Sequence, residues 1–161
     1  MKSPKLLALC GLALGLPALA ACSIFNGASR DSDGQITEAG DVDAFQLAVG
    51  DCLILADLAD TITSVPAKPC SEAHDGEVIK LITVQSISDG VYDEAVVTEE
   101  AETGCEAAMG EVVGPNWVET GLSWTYLYPT DESWETGDRE IVCMAAVEGL
   151  TLTATVAGTG N

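Results

Sequence analysis

His74 is the chain's single histidine, and Ser71, Glu72, Asp75 and Glu77 surround it in sequence, so any acid/base or metal chemistry must pass through this block. A catalytic triad needs Ser, His and Asp converging from separate elements on an oxyanion hole, and no Gly-x-Ser-x-Gly or comparable context exists. A zinc centre needs three or four His, Cys or carboxylate ligands. With the thiols oxidised, the block offers one imidazole and acids, so no metal, cofactor or enzyme activity is expected. The structural reading is that the imidazole after Cys70 hydrogen-bonds a backbone carbonyl and positions the loop entering a core strand. Asp138-Arg139 is the second charged motif, expected to lie at the mouth of a core strand with Arg139 in a partly buried ion pair with Asp51, Asp75 or Glu77. His74, Asp75, Glu77, Asp138 and Arg139 thus form the candidate binding or structural polar cluster. The alternative is a divalent-cation or small-ligand site built on His74 and its acidic neighbours. No C-x-x-C, phosphate loop or dinucleotide fingerprint supports thiol exchange, nucleotide hydrolysis or hydride transfer.

A different chemistry is written at the N-terminus. Lys2 and Lys5 form a positive region, Leu6 to Leu16 an apolar one too short to span a bilayer comfortably, and Leu19-Ala20-Ala21-Cys22 resembles a bacterial lipobox. In that reading the Cys22 thiol takes a diacylglyceryl group and cleavage before it makes Cys22 the first mature residue; two acyl chains anchor stably where one does not. Cleavage at Ala18-Leu19-Ala20 would instead release a soluble protein with a stray thiol. The expected organisation is residues 1–21 as signal peptide, 22–42 as lipidated N-terminus and flexible acidic tether, and 43–161 as one extracytoplasmic domain on the membrane face. Ser23 to Val42 is rich in Gly, Ser, Asp and Thr, the profile of a linker with a reach of roughly 25 Å. Asp31-Ser32-Asp33-Gly34 hints at a calcium loop, but Gln35, Ile36 and Val42 occupy EF-hand positions that require a ligand, Gly and Glu.

The chain has 161 residues and a net charge of −20, which becomes −22 without the two lysines of residues 1–21. Such a surface excludes nucleic acid and favours cations, basic protein patches or wall polymers as partners; most of its carboxylates read as solvated surface.

With Cys10 in the signal and Cys22 lipidated, Cys52, Cys70, Cys105 and Cys143 remain, an even set that should form two disulfides. Three pairings are possible, and the local pattern favours Cys52 with Cys70 and Cys105 with Cys143. Phe45 to Val49 reads as a strand entering a turn that continues at Cys52 to Leu55, and Val65 to Pro69 as an extended loop clamped back by the first bridge. Glu77 to Val84 is β-branched on both faces, as a central strand requires. Val97, Ala101, Cys105, Ala108 and Val112 recur at helical spacing until Gly114-Pro115. Trp124, Tyr126 and Tyr128 alternate on one strand, Ile141, Cys143, Ala145 and Val147 on another, so a helix burying Cys105 over the face that carries Cys143 makes their bridge natural. Thr130 to Trp134 looks like a capped helical turn, and Trp117 a loop residue available for recognition. The fold class is α+β: a small disulfide-stapled domain, mostly antiparallel sheet, with one amphipathic helix packed across it.

Val49-Gly50-Asp51-Cys52, the Pro69-Cys70-Ser71-x-x-His74-Asp75-x-Glu77-Val78 block, a helix carrying Cys105, the Pro129-Thr130-x-x-Ser133-Trp134-x-x-Gly137-Asp138-Arg139 block and Cys143 together resemble the septum formation domain of actinobacterial envelope proteins, over about Asp43 to Gly160. The resemblance implies an extracytoplasmic module, often on a lipoprotein or transmembrane tether, loosely associated with cell division and without a known enzyme activity. Its partner would be an unknown envelope or division protein or a wall component. Thr151 to Gly160 is more apolar than the family's usual polar tail.

Overall fold

The structure, a computed structural model, describes residues 27–56, 58, 62–87 and 90–161. Residues 1–21 and Cys22, with the signal and lipidation assigned to them, lie outside it.

The frame is a six-stranded antiparallel sheet in the order β3-β5-β4-β6-β8-β7. Its longest pair is β6 (Gly76–Thr83) with β8 (Glu140–Ala146), in register from Gly76 opposite Ala146 to Thr83 opposite Glu140, with a bulge between Val78 and Lys80. β7 (Ser123–Leu127) lies outside β8; β4 (Cys52–Leu53), β5 (Ser64–Lys68) and β3 (Gly40–Asp43) extend the other side. β6 and β8 carry apolar residues on both faces because both faces are covered. Ile79, Ile141, Cys143 and Ala145 pack under helix α1 (Glu94–Ala108) against Val97, Ala101, Cys105 and Ala108. Val78, Val142 and Met144 pack on the other side with Leu53, Val65, Ala67, Ile36 and Val42.

The termini of α1 follow from its sequence. The Asp93 carboxylate accepts hydrogen bonds from Ala95 N and Val96 N, filling donors that a helix start leaves without partners. A π-helical turn, Met109–Val113, follows Ala108, and Gly114 stops the run at φ +130°. A Cβ at Gly114 would stand 2.6 Å from the carbonyl carbon of Gly160, so glycine is also required by the C-terminal segment pressed against it. Helix α2 (Asp131–Glu135) is the expected capped turn, with Thr130 and Ser133 forming a reciprocal capping box and Trp134 buried. Both expected disulfides form, Cys52–Cys70 and Cys105–Cys143, with Cα separations of 5.2 and 5.1 Å.

Three expectations change. From Gly27 onward the segment assigned to a tether is part of the fold: β1 (Ser29–Arg30) and β2 (Ile36–Glu38) pair as a hairpin, and β3 pairs with β5 from Gly40 opposite Ala67 to Asp43 opposite Ser64. Ile36 and Val42 are buried, so two apolar residues and a ladder of backbone bonds help fix a stretch that composition marks as linker. Phe45 to Val49 is no strand. Ala44–Gln46 is a 3-10 turn, capped by Asp43, with Phe45 and Val49 exposed and only Leu47 turned inward. Val65 to Pro69 is no mere loop either, since Ser64–Lys68 forms β5 with Val65 and Ala67 buried at alternate positions. Pro66 fits because it lies just past the two-residue β4 ladder, and its carbonyl accepts from Ile54 N at 2.9 Å.

Candidate functional site

The His74 block sits where the β6 end of the sheet meets the C-terminal segment. His74 exchanges two backbone hydrogen bonds with Leu152, 3.1 Å from its own N–H and 2.8 Å to its carbonyl. Its side chain is 1 % exposed, with Nδ1 2.8 Å from the Glu72 carbonyl oxygen. A carbonyl only accepts, so Nδ1 carries the proton, and in the neutral ring the lone pair is left on Nε2. Nε2 is buried and has no hydrogen-bond partner. The expectation that the imidazole bonds a backbone carbonyl and holds the loop entering β6 is met; the unpaired nitrogen opposite was not foreseen.

The acids around it are engaged. Asp75 accepts from Leu55 N at 2.6 Å and Ala56 N at 3.1 Å, holding the end of β4. Glu77, 3 % exposed, accepts from Thr155 Oγ1 and Val156 N, each at 2.7 Å, and thereby ties the C-terminal segment to the sheet. Ser71 and Glu72 point their side chains to solvent. Both carboxylates beside His74 thus accept hydrogen bonds from neighbouring backbone or hydroxyl donors.

Arg139 does not pair with Asp51, Asp75 or Glu77. Its guanidinium lies over the Trp134 ring, Cζ 3.4 Å from the centroid, and donates to the carbonyls of Trp134 and Asp138. Asp138 in turn accepts from Ser133 Oγ at 2.8 Å and Glu140 N at 3.0 Å. The reason the blocks stay apart is register: Asp138-Arg139 enters β8 opposite Thr83, whereas His74 to Glu77 enters β6 opposite Ala146, roughly 20 Å away along the strand pair. His74, Asp75 and Glu77 are one cluster; Asp138 and Arg139 are another, built on Trp134.

The partner of Asp51 is Arg30, a residue the tether reading set aside. Its two Nη atoms bind both Asp51 oxygens in a two-pronged pair, Nη2 to Oδ2 at 2.6 Å, and Asp51 also accepts from Ala48 N. The Asp51 hydrogen bond, ahead of the opposing effect of burial and the added attraction of its charge, raises the Arg30 pKa. A lone arginine amid acids was the signal available in sequence. Thr155 and Val156 carried none, since their role depends on the chain returning to β6.

Trp117 begins a 3-10 turn, Trp117–Glu119, and packs partly on the helix-side core. Trp124, Tyr126 and Tyr128 form a half-buried aromatic row against α1, with Tyr128 donating to Glu94. The Asp31 loop is an Asx turn, its Oδ1 accepting from Asp33 N and Gln35 N. Among the described residues no helix is long and apolar enough to cross a membrane.

One cluster of ligand-type atoms stands out among the described residues: Cys52 Sγ, a His74 ring nitrogen and a Glu77 carboxylate oxygen lie within 4.8 Å of one another, all three residues buried. In the oxidised protein Cys52 is bonded to Cys70 and is not a ligand.

A family model described as septum formation matches residues 10–152, beginning well before Asp43 and ending as the C-terminal segment starts. No curated protein and no solved structure matches the chain.

Proposed function

Because the chain belongs to the septum formation family, we propose that it is a non-enzymatic interaction module held on the extracytoplasmic face of the membrane by lipid on Cys22, where it binds an envelope or division protein or a wall component during septum or envelope assembly. The observation that carries the reading is that the chemically capable side chains of both motif blocks serve the fold: Asp75 and Glu77 hold backbone amides, His74 a carbonyl, and Arg139 an indole face. Motif residues used in this way shape a scaffold, and binding then belongs to its surface. The two disulfides suit an oxidising compartment, and the acidic surface favours a basic partner.

The test is fractionation of cells producing the chain or its Cys22→Ala variant, with crosslinking of the intact envelope. Lipid anchoring predicts that the parent stays with membranes through a high-salt wash while the variant is released folded, and that crosslinked products of the parent are lost from the variant. A variant retained on washed membranes would contradict it.

A further inference from the structure

The Cys52–Cys70 bridge, His74 and Glu77 lie together, with ligand-type atoms of Cys52, His74 and Glu77 within 4.8 Å of one another. The geometry points to a zinc site that is latent in the oxidised protein: we propose that reduction of Cys52–Cys70 creates a centre in which the thiolates of Cys52 and Cys70, His74 Nε2 and a Glu77 carboxylate oxygen bind one divalent zinc ion.

Four observations carry this. His74 Nε2 is a buried nitrogen without a hydrogen-bond partner, and the Glu72 carbonyl fixes the tautomer that leaves its lone pair free, which is how a metal-bound imidazole is commonly held from behind. Cys52 Sγ and a Glu77 oxygen lie within 4.8 Å of the imidazole and of each other. Ligand atoms on tetrahedral zinc stand about 3.5 Å apart, so the cluster needs a contraction of about an ångström, and the sulfurs part once reduced. Cys70 supplies the fourth ligand, being bonded to Cys52 in the oxidised state.

The fourth observation is accessibility. Cys105 and Cys143 are both fully buried, whereas Cys70 is only partly buried beside a fully buried Cys52. A thiolate from solvent therefore reaches Cys70 Sγ first and leaves the helix-to-sheet bridge intact. The step balances with a dithiol as reductant: its two electrons and two protons convert the Cys52–Cys70 disulfide to two thiols as it becomes a disulfide itself. Zinc then displaces the two thiol protons to solvent, and Glu77 exchanges one of its hydrogen bonds from Thr155 or Val156 for the metal.

The complete chain in detergent is reduced with a water-soluble phosphine, which consumes one water and leaves as its oxide, until mass spectrometry of alkylated samples shows Cys52 and Cys70 newly free while Cys105–Cys143 stays bonded. Zinc alone is then titrated against a chromophoric competitor. The expected result is one zinc per chain in the reduced protein, no competing site in the oxidised protein, and binding weaker by about tenfold or more in His74→Gln and in Glu77→Gln. Cobalt in place of zinc gives a readout independent of variant folding, with tetrahedral d–d absorption and thiolate charge transfer expected in the reduced parent. Equal zinc affinity in oxidised and reduced protein, unchanged affinity in His74→Gln, or an octahedral cobalt spectrum would overturn the proposal.

Discussion

At the scale of single residues the fold assigns its few cations unequal tasks. Asp51 is 2 % exposed and depends on Arg30, so Arg30→Leu leaves a buried carboxylate without its charge partner and should cost on the order of 3 kcal/mol. Arg139→Leu removes a stacked cation and hydrogen bonds to carbonyls at a partly exposed site, with no carboxylate stranded, and should cost about 1 kcal/mol. Denaturant unfolding of both variants checks the ordering; equal losses would mean that the Arg30 pair contributes no more than a surface contact. The same chemistry explains what the sequence could show here. The imidazole after Cys70 can be read as a carbonyl-bonded ring, but an arginine's partner depends on strand register, which motifs as far apart as His74 and Asp138 do not specify.

At the scale of elements, the helix and the central strands were legible because their burial leaves a period: Val97, Ala101, Cys105 and Ala108 every three or four residues, and in β6 the apolar pairs Val78-Ile79 and Leu81-Ile82 on either side of Lys80, where both faces are covered. The N-terminal hairpin, β3 and β5 were not legible, because their stability comes from backbone pairing and from side chains far along the chain. Polar composition hid the first, and Pro66 and Pro69 hid the last. Deleting residues 22–42 therefore should not leave the domain intact, as loss of a tether would. It removes the Arg30 pair and the buried Ile36 and should cost about 5 kcal/mol, comparable with the net stability of a small domain. Comparing the melting of the truncated chain with the parent tests this, and coincident melts would restore the tether.

Tyr92, just before α1, and Tyr126 and Tyr128 of the aromatic row make an element-scale prediction about pH. Burial first, then the charge of Glu94 with smaller contributions from Tyr128, Asp131 and Asp93, raises the Tyr92 pKa; burial and Glu102 raise that of Tyr126; and the hydrogen bond to Glu94 followed by burial raises that of Tyr128. A pKa raised by folding means that stability is fully present below the unfolded tyrosine value near 10 and declines as pH rises through the folded values. Absorbance titration should show tyrosinate appearing above pH of about 10 in the folded chain, with a fall in melting temperature over the same interval. Titration at the free-tyrosine value, with no change in melting, would contradict that account.

For the whole molecule, two disulfides cross-link an acidic domain helix to sheet and turn to strand, and the proposed function has it placed by lipid on Cys22 and acting through its surface. Its family ties it to septum formation, and the proposed lipid on Cys22 would bring it to the membrane there. The most direct measurement is the distribution of a fluorescent fusion to the complete chain in dividing cells, beside the same fusion carrying Cys22→Ala. The account predicts a membrane-bound signal concentrated at the forming septum for the parent and a dispersed signal for the variant. A parent spread uniformly around the envelope, or a variant that still gathers at the septum, would contradict it.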